Sequence, residues 1–161
     1  MPKIVVNNTA QSELQAFLLK ADKLIMDAIK DTLAAIVAEG VTEARERPFD
    51  ESFYNVTGNL RSSIGGAVYE RGQVYFMTEF ATVLEGSTGS AEGRNLVLNL
   101  AQQYAQAVGA TMVAAMPYAE EVEARESKDV LETVRIKAQA VVEKRVSEAV
   151  QKAMREIQQG L

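Results

Sequence analysis

The 161-residue chain has no cysteine, no histidine and no tryptophan, and only three prolines. Without cysteine there is no disulfide framework and no thiol nucleophile. Without histidine, Ser-His-Asp and Cys-His catalysis and His-ligated metal sites are excluded, and zinc fingers fall with the two residues together. No stretch approaches 18 uninterrupted apolar residues, so no helix is expected to span a membrane. The opening MPKIVVNNTAQSE offers one lysine and a three-residue apolar run, too short for a signal peptide's apolar region. Cationic excess is missing too. The 22 acids outnumber the 17 bases, and a net charge of -5 argues against general nucleic-acid binding.

What is present is the composition of a folded chain. Hydrophobic residues make up 47% and charged residues 24%, too apolar for disorder. A chain of this length buries roughly 70% of its unfolded surface and needs no metal or crosslink to hold a core. One domain over residues 1–161 is expected, soluble and without a cofactor.

Apolar residues recur at Leu14, Phe17, Leu18, Ala21, Leu24, Ile25, Ala28, Ile29, Leu33, Ile36 and Val37, one face of a helix. Ser12 and Gln15 have capping-box spacing at its start, and Gly40 loosens or ends it. Some 26 to 35 residues at 1.5 Å each make a rod of roughly 40 to 50 Å. Residues 39–51 are rich in charge and read as a solvated helix end and loop.

The period then changes. Around Arg71-Gly72, strands near 67–70 and 73–80 form a hairpin. Glu85 to Arg94, EGSTGSAEGR, reads as a Gly/Ser loop. A second helix carries Val97, Leu100, Tyr104 and Ala107 and stops at Gly109, and residues 110–116 form a buried strand closed by Pro117. A last helix runs from about Asp129, its N-cap, to Gln158. The class is α+β: long N- and C-terminal helices on one face of a small antiparallel sheet, with an extra middle helix.

Chemical motifs are few. Gly86, Gly89 and Gly93 lack the spacing and the lysine of a phosphate-binding loop. Glu120, Glu121, Glu123 and Glu126 cluster, and a carboxylate pair such as Glu120 and Glu123 serves glycosidases or divalent cations. The same residues suit an acidic turn entering a helix, and the chain has no tryptophan platform for a sugar. No catalytic, cofactor-binding or metal-binding residue is assigned.

One segment stands apart: Val56-Thr57-Gly58-Asn59-Leu60-Arg61-Ser62-Ser63-Ile64. Thr57 can cap a helical turn, Gly58 permits an unusual backbone, and Leu60 and Ile64 sit four apart facing a core. Arg61 and Ser62 would then face outward. The segment resembles the TG-x-L-R-x-S-I signature of a tailed-phage family, the tail-completion or head-tail joining proteins of lambdoid and related siphophages and of many prophages. In that family the signature follows a long helix and precedes a hairpin. A Tyr-Ala-x-x-Val-Glu element comes later, similar here to Tyr118-Ala119-Glu120-Glu121-Val122-Glu123. The order of the pieces covers residues 12 to 158, and residues 81–109 add a loop and a helix where the family often has a short connection.

The resemblance implies a non-catalytic virion protein, made in the host cytoplasm. Its expected partners are copies of itself in a ring, six being the expected number, and neck, connector and tail-tube proteins. DNA would pass through the ring without being held. The motif residues carried over are Thr57, Gly58, Leu60, Arg61, Ser63, Ile64, Tyr118, Ala119, Val122 and Glu123. Tyr118 and Val122 are expected in the core. Candidate interface residues are Arg45, Arg47, Phe49, Phe53, Arg61 and Arg94, with segments 39–56 and 85–94 mobile before assembly. A helical adaptor unrelated to phage and, more remotely, a carboxylate-dependent hydrolase are the alternatives.

Overall fold

The computed structural model describes residues 8–48, 53, 56–125 and 129–160. Helix α1 runs from Asn8 to Glu46, 39 residues and about 58 Å at 1.5 Å per residue. A four-residue helix, α2 (Asn59–Ser62), leads into β1 (Ile64–Glu70) and β2 (Gln73–Met77). Helix α3 (Ser87–Leu100) and a 3₁₀ turn at Ala101–Tyr104 precede β3 (Val108–Ala114). Short α4 (Ala119–Arg125) and long α5 (Glu132–Gln158) complete the chain. The architecture is α+β. The antiparallel sheet has the order β2-β1-β3.

The hairpin turn is where the sequence puts it. Arg71 and Gly72 both have positive φ, 50° and 77°, the twist that lets a two-residue turn join strands. Both faces of the sheet are covered. Below it, Ile64 and Val68 pack with Val37, Val41 and Val134 of α1 and α5. Above it, Ala67, Tyr69 and Val113 pack with Val97 of α3 and with Phe80. The Tyr69 ring stacks on Tyr104 at 4.8 Å, and its hydroxyl meets Thr111 Oγ1 at 2.9 Å. The middle helix thus adds a third layer, where helices on one face were expected.

Several boundaries differ from the sequence reading, each for a tertiary reason. Ser12 lies inside α1 and donates to the Thr9 carbonyl, so it is no cap. Gly40 does not end α1. A Cβ there would collide with Met112 Sδ, so the glycine admits the β3 side chain and the helix runs on. Residues 39–46 are helix rather than loop because α5 lies antiparallel beside them, with Arg145 on Glu39 at 2.5 Å and Lys137 on Glu43 at 2.6 Å. Gly109 lies inside β3, opposite Tyr69.

The largest correction concerns residues 85–94, which are not a loop. From Ser87 they form the first half of α3. Gly89 and Gly93 fall on one helical face together with Gly86 just before it. Cβ atoms at these three would overlap Gly58 and Ser62, Asn59, and Phe80 respectively. Low helix propensity costs about 1 kcal/mol per glycine, and the close contact with residues 58–63 offsets it.

Candidate assembly site and the signature turn

The signature segment builds an internal hub. Gly58 adopts φ 81°, and Thr57 Oγ1 accepts the Asn59 N–H at 3.3 Å, which starts α2. Asn59 Oδ1 accepts the Gly89 N–H at 3.0 Å. Leu60 and Ile64 enter the core as expected. Ser62 Oγ accepts the Val83 N–H at 2.8 Å. Ser63 Oγ donates to the Leu60 carbonyl at 2.8 Å and accepts the Ala115 N–H at 3.1 Å. One turn therefore ties together α2, α3, the segment after β2 and the end of β3.

Arg61 and Ser62 do not face outward. They are 9% and 0% exposed. The Arg61 guanidinium donates to the carbonyls of Arg45 and Arg47, the latter at 3.1 Å, and lies 5.0 Å from the Phe53 ring centre. It closes the C-terminal end of α1, where helix carbonyls lack partners. Burial pushes its pKa down, and the neighbouring Arg45 charge adds to that. Arg45 in turn donates to the Ala81 carbonyl at 2.5 Å and the Glu79 carbonyl at 3.3 Å. A groove of about 660 Å³ runs past both arginines, with Glu46 and Glu79 on its walls. The acids balance the bases and the guanidinium donors are turned to carbonyls, so the groove concentrates no positive charge.

Most expected interface residues are internal for the same reason. Arg47 pairs with Asp129 and reaches Glu43 at 3.3 Å, and Phe53 is buried among core residues. Charge and aromaticity at 45–61 serve packing between elements distant in sequence. Arg94 is exposed on α3, and Phe49 lies outside the described residues.

The second motif is also structural. Ala119 is buried, Val122 is half-buried against the core, and Tyr118 is 40% exposed rather than internal. Glu123 Oε1 accepts the N–H groups of Val130, Leu131 and Glu132 at 3.3, 3.0 and 2.7 Å. It caps α5, a carboxylate at the positive end of a helix. Asp129 adds a bond from the Thr133 N–H at 3.2 Å, so it caps α5 from outside the N-cap position. Among the described residues no three Asp or Glu side chains gather to hold a metal ion. No described helix is long and apolar enough to cross a membrane.

The surface that stands open is elsewhere. Residues 11–20 of α1 are all exposed, including Leu14, Phe17 and Leu18, and Leu19 is 72% exposed. Apolar residues recur there at helical spacing, as they do from Leu33 to Ala44, where α1 packs against α5 and the sheet. Periodicity marks the stripe in sequence, but nothing local shows that its first turns have no cover. Asn59, which clasps α3, also gave no sequence signal beyond its place in the motif. No family model matches the chain, and comparison with curated proteins and with solved structures finds no match.

Proposed function

We propose that the chain is a non-catalytic assembly subunit of a tailed-phage particle, of the tail-completion or head-tail joining type. The observation that carries this reading is the open apolar face of α1 at Leu14, Phe17 and Leu18. Contiguous exposed apolar surface on a folded chain marks a contact with another molecule. The motif order of residues 57–64 and 118–123 is the resemblance that supports this family, and both motifs do structural work, as a fold signature would. Copies join in a ring at the head-proximal end of the tail or in the neck, with DNA passing through. A ring closes every head-to-tail contact equally. Glu123 is occupied with three backbone amides, which favours assembly over carboxylate chemistry.

Mass spectrometry of purified particles with copy-number counting tests the reading. About six to twelve copies per particle are expected of a ring component. Hundreds of copies would indicate tube or capsid, and absence from particles would favour a helical adaptor using the same open face.

A further inference from the structure

The sheet has two open edges, and they are built differently. On β2, the ladder shifts between Val68 and Tyr69, leaving Tyr75 as an extra residue. Tyr75 is fastened to α1, its hydroxyl donating to Asp31 at 2.6 Å and its ring 4.4 Å from the Lys30 ammonium. A short, bulged, anchored strand is a blunted edge. β3 has none of these devices. Its seven residues, VGATMVA, include no charge and no proline, and the ladder to β1 is unbroken from Ala114 to Val108.

The direction of the β3 backbone follows from β1. The Gly66 C=O accepts the Thr78 N–H at 2.9 Å and its N–H meets Thr78 Oγ1 at 2.9 Å, both toward β2. Alternation turns Gly65, Ala67 and Tyr69 toward β3, so their partners Val113, Thr111 and Gly109 bond inward. The N–H and C=O groups of Val108, Ala110, Met112 and Ala114 point away from the sheet. No described residue bonds to them.

We propose that β3 is a pairing edge for β3 of a second copy of this chain, antiparallel about a two-fold axis at Thr111. The outward residues are symmetric about that position. Val108 opposes the partner strand's residue 114 and Ala110 opposes its residue 112, so each outward donor meets an outward acceptor. Thr111 then faces its own counterpart, a favourable cross-strand pair, and no like charges are opposed. The two three-stranded sheets become one of six strands. This inference goes beyond the tail-completion reading and does not depend on it.

The test is backbone amide exchange of the full chain, resolved by residue, across a dilution series, alongside sedimentation. Expected is a concentration-dependent dimer in which the Ala110 and Met112 amides gain about tenfold or more protection. The Thr111 and Val113 amides, bonded to β1, stay protected at every concentration. Ala110→Pro removes one outward donor, which an edge strand tolerates, and is expected to shift the chain to monomer with its far-UV spectrum kept. A chain monomeric at all concentrations overturns the proposal. So does a dimer whose 110 and 112 amides exchange freely, or one dissolved by Leu18→Glu on α1 but not by Ala110→Pro. If the chain forms the β3 dimer in solution but is itself absent from phage particles, the tail-completion reading falls and this inference stands.

Discussion

Asn59 and Gly89 hold each other at the centre of the fold: the Asn59 side chain accepts the Gly89 N–H at 3.0 Å, and the Asn59 carbonyl fills the space a Cβ at 89 would need. That contact joins the signature turn to α3, and it sets the sign of a substitution that helix propensity alone would get wrong.

Gly89→Ala tests it. Alanine in a helix interior gains about 1 kcal/mol over glycine. Here the overlap falls on backbone atoms, which cannot swing aside, so a net loss of about 1 to 3 kcal/mol is expected. Urea unfolding reads the difference. A stabilised variant would mean α3 does not rest on Asn59.

Glu123 can be tested by two substitutions of graded severity. Glu123→Ala strips three amides at the start of α5 of their acceptor and is expected to cost about 1 to 2 kcal/mol. Glu123→Gln keeps an acceptor and loses the charge, so its cost should be smaller. Thermal unfolding of both, with equal losses for the pair, would assign the effect to charge rather than capping.

Charge reversal separates internal arginines from an exposed one. The Arg47 side chain is 8% exposed and faces Asp129 and Glu43. Arg47→Glu places a third carboxylate beside them and is expected to cost about 3 to 5 kcal/mol in the isolated chain. Arg94→Glu, on the exposed face of α3, should change stability by less than about 0.5 kcal/mol. If Arg47→Glu left unfolding unchanged, the internal placement of residues 45–47 would fail.

Stability should fall on acidification. The Glu43 carboxyl is held low first by the hydrogen bond from Lys137, and Glu39 by the one from Arg145, with burial opposing both. At Asp129 burial pushes upward, but bonds from Thr133 and the Arg47 charge outweigh it and the net direction is down. A folded-state pKa below the unfolded one contributes stability at higher pH that is lost as pH falls through the folded value. With no histidine, the urea midpoint should be level from about pH 8 to 5 and drop below about pH 4. A midpoint that rises below pH 4 would contradict these pairings.

Much of the fold is written locally. The apolar spacing of Leu24 to Val37 and of Val134 to Ala153 marks the two long helices, because a helical face repeats every three to four residues wherever it packs. Arg71-Gly72 between β-branched and aromatic residues marks the hairpin, because only residues tolerant of positive φ close so short a turn. Leu60 and Ile64, four apart after a glycine, declare a buried turn.

The rest was decided between elements. Gly86, Gly89 and Gly93 have the composition of a loop, and they are where a helix meets the signature turn because residues 58–63 occupy the space of their absent side chains. Arg45, Arg47 and Arg61 look like surface charge, yet their guanidiniums are drawn inside by carbonyls and carboxylates that the sequence sets far apart. Glu123 reads as one acid among four until α5 brings its three free amides to that carboxylate. Composition and periodicity determined the α+β class and its helices and hairpin, since those signals act over a few residues. Which polar groups are buried, and which apolar turns stay open at the start of α1, depended on contacts between separate elements, such as Arg61 with the Arg47 carbonyl 14 residues away and Asn59 with Gly89 30 residues away.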